Sequence, residues 1–157
     1  MTPAFHLPLN HLSFGQVSIN LLKEMYKQGD EPLLFTRGEA DLSAFDLQPE
    51  FIEWLKDRVA DSMRLHDREN RIVNLWHING LLESVSLKND AFTFHETNRL
   101  TETEINILRQ QRVVFVSSKY TKTIFEKFGI ENVIYCPIGL DRDWETKLHF
   151  QSQTFQK

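Results

Sequence analysis

Residues 113–135 read VVFVSSKYTKTIFEKFGIENVIY. Val113 to Val116 is a short run of β-branched and aromatic residues, the composition of a buried strand. Ser117 or Ser118 can cap a following helix by accepting from its first free N–H groups. Ile124, Phe125 and Phe128 supply the apolar positions of that helix. Gly129 takes the left-handed residue that ends it, and Ile130 makes the hydrophobic contact that accompanies such an ending. Val133 to Tyr135 then returns as a second strand. A strand, a capped helix and a strand in this order imply a right-handed crossover between parallel strands.

The same alternation extends toward the N-terminus. Ala91 to Phe94 reads as a strand, and Thr101-Glu102-Thr103-Glu104 is a capping box opening a short helix through Ile105 and Leu108. Ile72 to Trp76 is another strand. Before it, Pro49 is placed for the first turn of a helix with the apolar stripe Ile52, Leu55, Val59 and Met63, ended by the charged stretch from His66 to Arg71. Leu33 to Thr36 is a strand followed by a loop from Arg37 to Gln48. The chain opens with a run from Phe5 to Leu9 and a helix starting at Ser13, where Ser13 and Gln16 fit a second capping box. Val17, Leu21 and Met25 recur at helical spacing, Ile19, Leu22 and Tyr26 widen the stripe, and Gly29 fits its left-handed end. Six short strands alternating with helices predict a Rossmann-like three-layer α/β/α domain with a mostly parallel sheet over residues 1–141. Residues 142–157 lack a periodic pattern and read as a tail or a truncated interdomain linker.

The 157 residues are one domain's worth of chain. With 41% hydrophobic and 25% charged residues the chain is not disordered or low in complexity. Its 18 Lys and Arg against 22 Asp and Glu, net −4, with no dense basic run, argue against nucleic acid as a partner. The single Cys136 excludes an internal disulfide and a multi-cysteine zinc site, and its place beside an apolar strand and Pro137 reads as a packed, inert thiol. No apolar run approaches the roughly 20 residues of a membrane span. The opening MTPAFHLPLN has neither the basic nor the long apolar region of a signal peptide, so the expected location is cytoplasmic.

Glycines stand at 15, 29, 38, 80, 129 and 139, and no three of them make Gly-x-Gly-x-x-Gly or a Walker A loop. A Gly-x-Ser-x-Gly elbow is absent, and His95-Glu96 is followed by Thr97-Asn98-Arg99 rather than by the second histidine of a zincin. No cofactor or metal is read from the chain. The polar residues that follow the strands remain, and in open α/β sheets that edge binds ligands. After the first strand come Asn10, His11, Ser13, Gly15 and Gln16. They form a turn into a helix whose positive end suits a diphosphate, with Gly15 permitting close backbone approach. After the third strand come His77 and Asn79-Gly80, and after the fourth, His95-Glu96. Two histidines and a carboxylate at adjacent strand ends suit proton transfer or hydrogen bonding to a substrate, and equally suit capping and loop roles. Trp54 and Trp76 read as core aromatics.

Taken in order, Phe14-Gly15-Gln16-Val17-Ser18, Trp76-His77-x-Asn79, Thr93-Phe94-His95-Glu96, Val116-Ser117-Ser118-Lys119 and Cys136-Pro137-Ile138-Gly139-Leu140-Asp141 resemble the N-terminal half of GT-B glycosyltransferases of the glycogen-synthase-like, family-four type. The resemblance covers residues 5–141. It implies a nucleotide-sugar donor and a sugar or other hydroxyl acceptor, with His77 and Glu96 as catalytic candidates and Gly15, Gln16, Asn79, His95 and Ser118 binding substrate. Those enzymes hold the donor nucleotide mainly on a second Rossmann-like domain bearing Glu-x7-Glu. Glu96/Glu104 and Glu31/Glu39 have that spacing here but fall within the first-domain pattern. The resemblance therefore implies half an enzyme that works with a second, donor-binding domain or chain and exposes an apolar docking surface near Trp144, Phe150 and Phe155. A non-catalytic Rossmann-like module binding a glycan, a nucleotide or another chain is the alternative reading. A flavodoxin-like signalling domain fits less well, because Asn10 and His11 stand where acidic residues would be wanted.

Overall fold

The computed structural model describes residues 2–139. Trp144, Phe150 and Phe155, expected to border an apolar docking surface, lie outside the described residues. The elements are β1 (Ala4–Leu7), α1 (Ser13–Gln28), β2 (Leu33–Thr36), α2 (Pro49–Leu65), β3 (Arg71–Leu75), a 3-10 turn (Ile78–Gly80), β4 (Lys88–Thr93), α3 (Glu102–Gln110), β5 (Val114–Val116), α4 (Lys119–Lys127) and β6 (Val133–Tyr135). The strands form one six-stranded sheet in the order β2-β1-β3-β4-β5-β6, and every neighbouring pair is parallel. This is the doubly wound, Rossmann-like three-layer architecture. Its strand order is the flavodoxin-like one, with the reversal between β1 and β3.

Alternate residues of each strand serve opposite faces. Leu7, Leu34 and Leu75 pack with Phe14, Ile19 and Leu22 of α1 and with Phe51 and Leu55 of α2. The other face carries Ala91, Val114, Val116 and Val133 against Ile107 and Leu108 of α3 and Ile124 and Phe125 of α4. The α4 ending follows the sequence expectation. Gly129 has φ 73°, its N–H donates to Glu126 O at 3.0 Å, and the Ile130 N–H donates to Phe125 O at 3.1 Å. Ile130 is buried beside Phe125. The Thr101–Glu104 capping box forms with both reciprocal bonds.

Three local expectations are corrected. The Ser13–Gln16 box does not form. Leu12 is the residue preceding α1, its N–H is taken by Asn10 Oδ1 at 3.1 Å, and Ser13 lies inside the first turn, where its hydroxyl has no cap to make. The α2 stripe is rotated. Met63 is 81% exposed, while Phe51, Leu55 and Ser62 are buried, because α2 lies against the edge strand β2 and α1 and so turns a different face inward. Cys136 is exposed rather than packed, since β6 is an edge strand and nothing among the described residues covers its far side.

A polar seam crosses the apolar sheet at β1 and β3. Asn89 Nδ2 donates to Ser86 O at 3.1 Å, which leaves Asn89 Oδ1 to accept from Asn74 Nδ2 at 3.2 Å. Asn74 Oδ1 therefore faces His6 Nδ1 at 3.1 Å. The buried Arg37 lies with Nη2 3.2 Å from the same nitrogen, and it donates to Glu83 Oε2 at 2.8 Å and to Glu83 O at 2.9 Å. These two bonds hold the β3–β4 crossover, which has no α-helix, onto the end of β2.

Burial penalises a charged His6, and the Arg37 guanidinium adds repulsion, so its pKa lies below the ordinary 6.5. The unfolded chain takes up a proton near pH 6.5 that the folded chain refuses. The contribution of His6 to stability is thus complete above that pH and is lost as pH falls toward the lowered folded value. Denaturant unfolding from about pH 7.5 to about pH 5 should show a decline that is shallower in His6→Gln. Gly129→Ala should cost about 1 kcal/mol in the same assay, because alanine strains at positive φ.

Candidate functional site

In an all-parallel sheet the carboxyl ends of all strands meet at one edge, and a large hollow lies there. This open groove has a volume of about 690 Å³. Ser13, Phe14 and Val17 of α1 form one wall, and Ser117, Ser118, Tyr120 and Thr121 around the start of α4 form the other. His77 after β3 and Phe94, His95 and Glu96 after β4 lie between them, with Ile138 at the β6 side. A smaller hollow of about 200 Å³, lined by Tyr26, Leu47 and Phe51 among others, sits between α1 and the loop before α2, away from the strand ends.

The floor is aromatic. Phe14 is 5% exposed, and its ring meets His77 edge-on at 4.5 Å, Phe94 at 5.0 Å and Trp76 at 5.5 Å. Trp76 is fixed from behind by Arg37, whose guanidinium lies 5.5 Å from the indole centroid, and by Gly80, where any Cβ would collide with the indole. His77 is exposed, and its imidazole makes no hydrogen bond within the described residues, so both ring nitrogens are available to a ligand.

His95 is held differently. Its Nε2 lies 2.9 Å from Thr97 Oγ1 and 3.1 Å from Arg99 O, while the Thr97 hydroxyl donates to Arg99 O at 2.8 Å. Its backbone carbonyl accepts from Thr121 Oγ1 at 3.0 Å, and its ring packs 5.4 Å from Phe125. Glu96 is exposed and pairs with no cation within the described residues. No carboxylate contacts either groove histidine, so the described residues contain no carboxylate–histidine relay.

Ser118 is the N-cap of α4, its Oγ accepting from Tyr120 N at 3.1 Å and Thr121 N at 3.4 Å, which leaves only its hydroxyl proton for a ligand. Ser117 and Ser13 make no side-chain hydrogen bond within the described residues. Two helix N-termini, α1 and α4, thus open on one groove with spare hydroxyls beside them, an arrangement suited to an anionic oxygen.

Of the residues singled out in the sequence, the groove brings together Ser13, His77, His95, Glu96 and Ser118. Gly15, Gln16 and Asn79 stand at the same sheet edge but do not line it. Gly15 is buried, and a Cβ there would land on the carbonyl and amide oxygens of Asn10. Its missing side chain makes room for the β1–α1 turn rather than for a ligand. Gln16 donates from Nε2 to His11 O at 3.3 Å, and Asn79 is exposed on the 3-10 turn. Sequence reasoning missed Phe14 and Phe94 as groove residues, because aromatics carry the composition of a core.

Among the described residues no three His, Cys, Asp or Glu side chains gather as metal ligands would, and no helix is long and apolar enough to cross a membrane. No protein-family model matches the chain, and a search of curated proteins finds no match.

Gly15→Ala should destabilise the fold by about 1–3 kcal/mol, since Asn10 is backbone-held and cannot swing aside. Urea unfolding measures this. Gln16→Ala, which removes one exposed bond, should stay within about 0.5 kcal/mol of the parent chain.

Proposed function

We propose that this chain is the acceptor-side half of a glycosyltransferase. It would orient a sugar or other hydroxyl acceptor against a nucleotide-sugar donor held mainly by a second domain or chain. One observation carries this reading beyond the sequence resemblance. The groove at the carboxyl edge combines an aromatic floor, unpartnered His77 and paired helix N-termini within one hollow. Apolar ring faces suit a sugar face, free imidazole nitrogens suit its hydroxyls, and the helix ends suit the departing diphosphate.

In an inverting transfer the acceptor oxygen attacks the anomeric carbon as the bond to the diphosphate oxygen breaks. The acceptor proton passes to His77 or Glu96, and the nucleoside diphosphate leaves with the bonding pair. In this reading Ser13, Ser117 and Ser118 of the groove lining would give hydrogen bonds to the leaving group. The absence of a carboxylate behind either groove histidine within the described residues favours a second reading, in which the chain binds a glycan or nucleotide without catalysis.

Saturation-transfer NMR with UDP-glucose, GDP-mannose and maltose at millimolar concentration separates these readings. Binding with no turnover by the 157-residue chain alone is the expected result, and His77→Ala should weaken it about fivefold to tenfold. Robust transfer by the chain alone would sink the half-enzyme reading. Binding unaffected by any second domain or chain would favour the binding module, and no binding of sugar or nucleotide would overturn both.

A further inference from the structure

The turn after β4 determines the chemistry that His95 offers to the groove. Arg99 O can only accept. The one proton of the Thr97 hydroxyl is spent on that carbonyl at 2.8 Å, so toward His95 the hydroxyl also acts as acceptor. His95 Nε2 therefore meets two acceptors, Thr97 Oγ1 at 2.9 Å and Arg99 O at 3.1 Å, and only an Nε2–H satisfies both. In the neutral ring the second nitrogen, Nδ1, then keeps its lone pair, and it has no partner within the described residues. The ring packs 5.4 Å from Phe125 at a tilt of 58°, and the backbone carbonyl of His95 is tied to Thr121 on α4.

We propose that Thr97 is a positioning residue that locks His95 in the Nε2–H form, so that Nδ1 accepts a hydrogen bond from a hydroxyl of the groove ligand. This rests on the sugar-binding reading of the groove and deepens it. At this point the site selects a hydrogen-bond donor, the hydroxyl of a sugar, and disfavours an anionic oxygen, which would face a lone pair. The groove is thereby divided, with the hydroxyl-bearing part of the ligand at His95 and any phosphate at the α1 and α4 ends beside Ser13 and Ser117. Thr97 lies outside the groove lining and is exposed, so its replacement leaves the core untouched.

The test has two arms on the full 157-residue chain. Long-range 15N–1H correlation spectra of the parent chain should show the His95 ring protonated on Nε2 and bare on Nδ1. Thr97→Val should shift the ring toward the Nδ1–H form, and Thr97→Ser should restore it. In the second arm, maltose and inorganic phosphate are titrated separately. Thr97→Val should weaken maltose about fivefold to tenfold, Thr97→Ser should recover it, and phosphate affinity should stay within about twofold. Unchanged amide spectra away from residues 95–99 report that the variants fold. A parent His95 in the Nδ1–H form, or maltose affinity indifferent to Thr97→Val, overturns the proposal. If the Nε2–H form is found and responds to Thr97 while no sugar binds, the sugar reading of the groove has failed and the hydroxyl partner falls with it, whereas the lock on the ring stands.

Discussion

The structure depends on one topological constraint. Six strands running parallel must all end at the same edge, and each connection must cross back over a face of the sheet to begin again. Helix starts therefore collect where strands finish. The N-termini of α1 and α4, the 3-10 turn after β3 and the His95–Arg99 turn after β4 are neighbours for this reason, although they are spread over more than a hundred residues. Reversal of the crossover direction between β1 and β3 then lets the connections diverge and leaves an opening rather than a packed seam.

Holding that edge open needs support from beneath, and the molecule supplies it in two ways. On one face Phe14 bridges α1 to the ends of β3 and β4 through its contacts with His77, Trp76 and Phe94, so part of the core is also the floor of the groove. On the other face the seam from His6 through Asn74 to Asn89, clamped by Arg37 and Glu83, fixes a crossover that lacks a helix of its own. A buried polar network of this kind earns its place only when its members are satisfied. Here the backbone carbonyl of Ser86 orients the Asn89 amide and through it that of Asn74, while the buried Arg37 Nε has no hydrogen-bond partner among the described residues.

How far the residues announced this arrangement differs from place to place. Gly129 and Ile130 at the end of α4, and Thr101 with Glu104 at the start of α3, act through neighbours within a few positions, so their signatures in the chain are the structures they form. Ser13 misled because the helix begins one residue earlier than it implied, and the Gln16 N–H that Ser13 would have capped donates instead to Leu12 O at 2.9 Å. Met63 misled because its helix docks against both β2 and α1, and helical spacing alone leaves the inward direction free within a turn. His77, His95, Glu96 and Ser118 were legible as residues following strands. Phe14 and Phe94 were not, because an aromatic side chain looks the same in a sequence whether its exposed edge meets protein or a groove.

The amino-acid sequence by itself determined that this is a parallel α/β domain of six strands, where most elements begin and end, and which polar side chains stand at the strand exits. Those properties follow from period, cap and turn chemistry, which act over a few residues. Only the tertiary structure decided the order β2-β1-β3-β4-β5-β6, the use of Gly15 to accommodate Asn10, the burial of His6 beside Arg37 and the assembly of one groove from α1, the β3 and β4 turns and α4. These depend on contacts between residues far apart in the chain, and short-range patterns carry no record of which distant partner a side chain will meet.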